Sequence, residues 1–127
     1  MRRLREIGDG VFWAGDCLGF VDGSRRIHNH ISTFLVVGAE RTLLVDTGHP
    51  AHWRTVRDQL RSVLGGRSLD YLFPTHQELP HAGNTERLMH TYPECTIVGD
   101  PATGVPQLLS WESARKRPLS WANVLAP

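Results

Sequence analysis

The sequence predicts an α/β domain in which a mixed β-sheet carries two helices. Segments 33–37 and 42–46 are rich in β-forming residues and are separated by the short turn 38–41, a pattern typical of a β-hairpin. Apolar side chains then recur at helical spacing between residues 50 and 64. A short apolar segment at 70–73 follows, and the order strand, helix, strand indicates a βαβ-like unit.

Further elements follow from the same signals. The apolar run 11–14 lies between two glycines and predicts an early strand, and a loop over residues 16–30 leads into a second strand near 27–31. The strands of the 33–46 hairpin are almost continuously apolar, so we expect both faces of the sheet to be covered.

The main helix is predicted over residues 50–64, because Pro50 suits a first helical turn and Gly65-Gly66 is a stop signal. Its apolar face comprises Trp53, Val56, Leu60, Val63 and Leu64. A polar loop over residues 75–83 comes next. Asn84 is expected to cap a shorter helix near 84–91, and a last strand is expected at 96–98.

Composition limits the function classes. The chain has 127 residues, 40% of them hydrophobic, and a formal net charge of +1, which favours one globular domain and argues against nucleic-acid or anionic-membrane partners. The longest apolar runs are far shorter than the ~20 residues of a membrane span. We expect one domain over residues 1–100, a weakly structured tail over 101–127, and a cytoplasmic location with reduced thiols.

Residues that could carry chemistry cluster directly after the strand at 70–73. His76 and Glu78 are two positions apart, so in extended backbone they point the same way, and a turn can bring His81 towards them. Imidazole and carboxylate ligands on a loop suit iron, manganese or zinc. A solvated polar loop is the alternative interpretation.

Two motifs resemble the metallo-β-lactamase fold. They are Leu-Leu-Val-Asp-Thr-Gly at 43–48 and Tyr-Leu-Phe-Pro-Thr-His-Gln-Glu-Leu-Pro-His-Ala-Gly-Asn at 71–84, separated by the predicted helix. The family has a His-x-His-x-Asp-His loop after a strand. Glu78, at the second position of that loop, is similar to the flavodiiron or oxygen-binding diiron branch, whose loop reads His-x-Glu-x-Asp-His.

The resemblance covers roughly residues 8–100 and implies the N-terminal half of an αββα sandwich. It implies that His76, Glu78 and His81 correspond to the metal loop, with iron (a di-iron pair in the complete fold) or zinc as the metal. Three residues match positions that support this loop in the family: Asp46, Gly48 and Gly83.

Two departures from the family pattern accompany this resemblance. Pro80 stands where the family has an Asp ligand, and proline cannot bind a metal. The family also takes further His and Asp ligands from its second half, whereas His90 is the last histidine here. We therefore expect an incomplete metal site, which can extend to no metal at all, in a truncated or degenerate member. A frameshift within residues 101–127 is one origin of such a chain.

Three hypotheses about function remain open. The chain is a diiron-type oxidoreductase relative, a non-catalytic structural or partner-binding domain, or a metal-dependent hydrolase of the same superfamily. An uncovered apolar sheet also predicts a homo-oligomer or poor solubility.

The remaining candidates carry weaker signals. His28 and His30 share one face of a predicted strand, and His49 and His52 flank the start of the main helix. For His28 and His30 we expect a solvated or core-edge pair, with a second metal site as the alternative. For His49 and His52 we expect caps or surface groups, with an approach to the His76 loop as the alternative. Cys17 has no evident base beside it in the sequence, so a structural or exposed thiol is the preferred interpretation.

Overall fold

A computed structural model describes residues 4–99 as a six-stranded mixed sheet with helices on one face. The strands are β1 (Arg5–Gly8), β2 (Val11–Asp22), β3 (Arg25–Val37), β4 (Thr42–Val45), β5 (Tyr71–Phe73) and β6 (Thr96–Ile97), and they lie in this order across the sheet. The helices are α1 (Trp53–Leu64), α2 (Leu79–Ala82) and α3 (Thr85–Thr91), with a 3-10 turn at Pro50–His52 before α1. The α/β class, the mixed sheet and the two main helices predicted from the sequence are confirmed. The expected tail at 101–127 lies outside the described residues.

The sheet changes from antiparallel to parallel at β4. Strands β1 to β4 pair in antiparallel fashion, whereas β4, β5 and β6 are parallel, with Val45 opposite Phe73. The predicted hairpin pairs Phe34 with Val45 and Val37 with Thr42. Parallel strands place their carboxyl ends at the same sheet edge, and this edge carries the candidate site.

The predicted loop over residues 16–30 was wrong. Strands β2 and β3 are continuous, and they form a long hairpin in which Asp22 pairs with Arg25. Only Gly23 and Ser24 separate them, and Gly23 has a φ of +58°, which a tight hairpin turn requires and glycine adopts readily. The polar, glycine-containing sequence concealed these strands because their outer residues pair without being buried.

The hydrophobic core lies between one sheet face and the helices. Strand residues Leu35, Leu44 and Leu72 alternate inward and are fully buried. Helix α1 contributes the predicted apolar face, of which Val56 and Leu60 are fully buried. Full burial of each such side chain stabilises the fold by ~1.5–3 kcal/mol.

Helix α1 is tied to the long hairpin by a buried polar contact. The Gln59 side chain accepts a hydrogen bond from the Gly15 N–H at 2.9 Å and donates one to the Gly15 carbonyl at 3.0 Å. Gly15 has a φ of +106°, and a Cβ there would lie 2.0 Å from the Ile31 carbonyl oxygen. The hairpin therefore meets α1 at a position that only glycine fills.

The other sheet face is apolar and half-exposed. It carries alternate residues of four strands, among them Trp13, Phe34, Val45 and Tyr71. Within residues 4–99 no helix packs on this face. The described part of the chain therefore covers one face of the sheet, whereas we expected both faces to be covered. In that same part, no helix is long and apolar enough to cross a bilayer.

Candidate metal centre

The candidate site forms where β4 and β5 end side by side. The backbone N–H of Asp46 donates to the Phe73 carbonyl at 2.9 Å, which extends the parallel ladder by one step beyond β4. Asp46 then has a φ of +63°, the one left-handed residue other than glycine in the described chain. This turn directs its carboxylate across to the segment that follows β5.

The Asp46 carboxylate organises that segment. Its Oδ1 accepts hydrogen bonds from the Thr75 N–H at 2.7 Å and the Thr75 hydroxyl at 2.8 Å. Its Oδ2 lies 2.9 Å from Nδ1 of His81. Asp46 is only 8% exposed, so these contacts satisfy a carboxylate that has lost most of its water.

The hydrogen-bond chain assigns the tautomers of both imidazoles. A carboxylate only accepts, so Nδ1 of His81 carries the proton that it donates to Asp46. The Thr75 hydroxyl gives its single proton to Asp46, and it therefore accepts from Nδ1 of His76 at 2.9 Å. Each neutral imidazole then has its lone pair on Nε2, the arrangement that carboxylate-oriented metal ligands use. The two ring centroids are 4.6 Å apart.

The structure places Glu78 differently from these histidines. Glu78 is exposed and precedes α2, with its backbone carbonyl accepting from the N–H groups of His81 and Ala82. The predicted loop over 75–83 was wrong in its second half, because Pro80 lies in the first turn of α2, where its missing N–H costs no helical bond. Across residues 4–99, no three His, Cys, Asp or Glu side chains are arranged to hold a metal ion. The structure therefore brings two of the three predicted ligands, His76 and His81, close together and leaves Glu78 outside the Asp46–Thr75 hydrogen-bond network.

Asn84 was expected to cap a helix, but its side chain makes no capping bond to α3. Its buried amide instead donates to the carbonyl oxygens of Thr47, Gly48 and His49 at 3.0, 3.1 and 3.0 Å. The Asn84 N–H also donates to the Thr47 hydroxyl at 3.0 Å. Asn84 thus joins the turn after β4 to the start of α3 and fixes the two sides of the site relative to each other.

The two predicted support glycines lie at close approaches. Gly48 has a φ of +76°, and a Cβ there would lie 3.0 Å from Cγ2 of Val56. Gly83 has a helical φ, but a Cβ there would lie 2.5 Å from the Leu79 carbonyl oxygen and 2.7 Å from the Pro50 ring. Both positions need the absence of a side chain.

Among the described residues, the side chains of the histidines at the start of α1 take no part in the Asp46–Thr75 hydrogen-bond network. His49 accepts a hydrogen bond from the Ala51 N–H through Nδ1 at 3.1 Å, which is the capping role expected from the sequence. His52 is buried, with no partner for its Nδ1 among the described residues. Burial acts to raise the pKa of nearby Asp16, but hydrogen bonds from the Cys17 N–H and the Thr55 hydroxyl outweigh it and hold that pKa below its ordinary value.

Sequence reasoning missed Thr75, which connects Asp46 to both imidazoles. Its only signal was its position between a buried strand and His76, and that position does not distinguish a structural hydroxyl from a solvated one. The hydrogen bonds from the Asn84 amide to the backbone carbonyls of residues 47–49 were also missed. An asparagine just before a helix is expected both where it caps the helix and where it binds a neighbouring loop, so the sequence does not distinguish the two roles.

Comparisons with known proteins agree with this fold. The profile of the metallo-beta-lactamase superfamily matches residues 27–121, so the chain belongs to that superfamily. The resemblance stated from the two motifs is thereby confirmed.

Curated relatives are flavodiiron proteins. The chain is 30% identical over 104 residues to the coenzyme F420H(2) oxidase of Methanothermobacter marburgensis, covering 73% of this chain and 24% of that protein. It is 26% identical over 106 residues to the flavo-diiron protein FprA2 of Clostridium acetobutylicum, covering 76% of this chain and 25% of that protein. The chain therefore spans about a quarter of the length of these relatives.

Solved structures show the same fold at lower identity. A metallo-beta-lactamase from Cronobacter sakazakii superposes with a TM-score of 0.63 and 20% identity, covering 82% of this chain and 36% of that one. This likeness supports the fold alone. The half-exposed sheet face and the partial coverage are both consistent with the N-terminal half of a sandwich.

Proposed function

We propose that this chain supplies the first half of a diiron-type metal centre, in which His76 and His81 bind a metal through Nε2. The proposal is supported chiefly by the Asp46–Thr75 hydrogen-bond network, which leaves both Nε2 lone pairs available on rings 4.6 Å apart. The names of the two relatives, one an oxidase and the other a flavo-diiron protein, favour oxidoreduction over hydrolysis and iron over zinc.

Glu78 belongs to the proposal as a third ligand that is not yet in place. It is exposed and is not held by a capping hydrogen bond, so a change of rotamer and of the 76–78 backbone can bring its carboxylate towards a metal. Carboxylates are ligands that iron tolerates together with imidazole. Further ligands would come from outside residues 4–99, and the incomplete site expected from the sequence remains part of this proposal.

The chain's own residues perform positioning in this centre. Asp46 accepts the Nδ1 proton of His81, and the Thr75 hydroxyl accepts the Nδ1 proton of His76, so that each ring is oriented with Nε2 free to bind a metal. Bound iron would supply electron transfer and Lewis acidity. A cytoplasmic setting stays part of the proposal, and within residues 4–99 Cys17 and Cys95 are not joined to each other by a disulfide.

Metal titration of the full chain tests this function. We expect chelator-treated protein to bind Fe²⁺ under anaerobic conditions, followed by calorimetry and elemental analysis, and His76→Ala or His81→Ala to weaken binding by about 10–100-fold. His90→Ala is the matched control, because His90 is exposed at the end of α3. Equal weakening by the control, or no binding by the unaltered protein, would contradict the proposal.

Asp46→Asn provides a second test that leaves the ligands intact. The amide would face the Nδ1–H of His81 with a donor instead of an acceptor, and we expect about 10–100-fold weaker metal binding. An unchanged affinity would separate Asp46 from the metal centre.

A non-catalytic structural role is the second candidate. It is favoured by Pro80, which starts α2 and has no side chain able to bind a metal, and by the absence of a three-ligand group among residues 4–99. Protein purified anaerobically with stoichiometric iron would exclude this role. Chelator-sensitive hydrolysis of a simple ester or phosphodiester would instead support the hydrolase reading.

A further inference from the structure

A second cluster of reactive side chains lies on the long β2–β3 hairpin. The sulfur of Cys17 is 3.4 Å from Nδ1 of His28. Cys17 is opposite His30 in the pairing register, and Gly19 is opposite His28. Residues directly opposite each other in an antiparallel pair share a sheet face, so the thiol and both imidazoles project on the same side.

The register also leaves open space beside the thiol–imidazole pair. Gly19 has no side chain, and a Cβ there would lie 3.6 Å from Nδ1 of His28. A surface concavity of about 260 Å³ adjoins this position, and it is lined by Gly19, Phe20, Val21, Arg26 and His28. A small molecule in this concavity contacts His28, whose Nδ1 lies 3.4 Å from the Cys17 sulfur.

The charge of this face is positive. Val21 pairs with Arg26, so Arg26 lies on the Cys17 face, whereas Asp22 and Arg25 pair on the opposite face. Asp16 also lies on the opposite face, where its Oδ2 accepts from the Thr55 hydroxyl at 2.8 Å. A ligand that enters the concavity meets one guanidinium and no carboxylate from this face of the hairpin, which favours an anionic ligand.

We propose that Cys17 and His28 form a thiol-exchange site that takes small, anionic disulfides. Nδ1 of His28 accepts the thiol proton, and the Cys17 sulfur attacks the nearer sulfur of the disulfide. The sulfur–sulfur bond of the reagent breaks as the new one forms. The departing thiolate takes the proton back from His28 and leaves as a free thiol, so two electrons are exchanged and no further oxidant is needed.

Cys95 supplies an internal reference for this reaction. It is fully buried against the hydrophobic core, so it is protected in the native protein. Cys17 is partly exposed. The site is independent of the metal centre, and its failure would leave the proposed function standing.

The experiment treats the folded full chain with glutathione disulfide and follows the adduct by intact-protein and peptide mass spectrometry. We expect one adduct, on Cys17, forming about tenfold faster than on a free small thiol at the same pH. We expect His28→Asn and His28→Gln to slow it by about tenfold, and His90→Asn to leave it unchanged. An adduct on Cys95, or an equal rate in both His28 variants and the unaltered protein, would overturn the proposal.

Arg26 tests the preference for an anionic reagent. We expect Arg26→Gln to slow the reaction with glutathione disulfide by about threefold or more while leaving the reaction with the neutral 2-hydroxyethyl disulfide unchanged. Equal slowing with both reagents would show that Arg26 acts only through hairpin structure, and it would refute the anionic preference. Circular dichroism melting curves check that each variant remains folded.

Discussion

Replacing Asp46 separates the two contributions that this residue makes to the fold. Its side chain accepts from the Thr75 N–H and hydroxyl and from the His81 imidazole, and its backbone occupies the left-handed region at a φ of +63°. Asp46→Ala removes the acceptor and keeps the strained backbone. Asp46→Gly removes the acceptor and relieves the strain, and Asp46→Asn keeps one acceptor and tolerates the backbone.

The magnitudes follow from these contacts. Hydrogen bonds to a charged group contribute about 1.5–3 kcal/mol each, and the two interactions of Thr75 share one oxygen and are counted once, so we expect Asp46→Ala to cost about 3–6 kcal/mol. Left-handed backbone costs a residue with a Cβ about 1–2 kcal/mol, so Asp46→Gly should be less destabilising than Asp46→Ala by roughly 1 kcal/mol. Asp46→Asn should cost about 1.5–3 kcal/mol.

Equilibrium unfolding in urea, with the midpoint and slope measured for each variant, checks this order. Asp58→Ala is the control, because Asp58 is exposed and pairs only with its neighbour Arg57 among the described residues, and we expect a change below about 0.5 kcal/mol. The reasoning is refuted if the glycine variant is no more stable than the alanine variant. It is also refuted if the asparagine variant unfolds together with the unaltered protein.

The remaining predictions concern packing, pH and association. Gly83→Ala should cost about 1–3 kcal/mol of stability, because its Cβ would meet the Pro50 ring at 2.7 Å. Gly66→Ala is the control and should be neutral or stabilising, because a Cβ there has nothing within 4 Å. Thermal unfolding compares the two variants. The pKa of Asp16 is lowered in the folded state, so its stabilising contribution is present above about pH 4 and is lost as the pH falls through the folded pKa. Asp16→Asn should therefore unfold with a shallower acid dependence between about pH 5 and 2, and parallel urea curves for both proteins would contradict this. The homo-oligomer expected from the sequence remains a prediction: light scattering during size-exclusion chromatography should show a mass above 14.3 kDa, and a monomer stable to dilution would refute it.

Much of the fold was predictable because buried elements leave periodic signals. Helix α1 repeats apolar residues at helical spacing, the β3–β4 hairpin consists of two almost continuously apolar strands, and the order of these elements predicted the mixed sheet. The outer half of the β2–β3 hairpin was not predictable, since residues such as Gly19 and Asn29 pair through backbone groups and are not sorted by burial. Backbone pairing alone leaves no pattern in side-chain type.

Some features of the candidate metal centre were likewise predictable from the sequence, and others were not. His76 and His81 could be identified because imidazoles directly after a strand suit a metal, and Asp46 was identified through the family resemblance; the structure joins all three through Thr75. Residue type does not determine where a side chain is placed. Glu78 has a carboxylate suited to a metal, but it lies just before α2 and outside the hydrogen-bond network.

The Cys17–His28 pair could not be predicted because the sequence alone did not reveal the pairing register of the β2–β3 hairpin. In the sequence the two residues are eleven positions apart with no shared motif, and Cys17 had no evident base. The pairing of Asp22 with Arg25 fixes every partner along the hairpin, and it places Cys17 one diagonal step from His28. A shift of one residue would move His28 to the opposite face and leave the thiol beside Asn29, so a two-residue turn determines whether this chain has a thiol–imidazole pair at all.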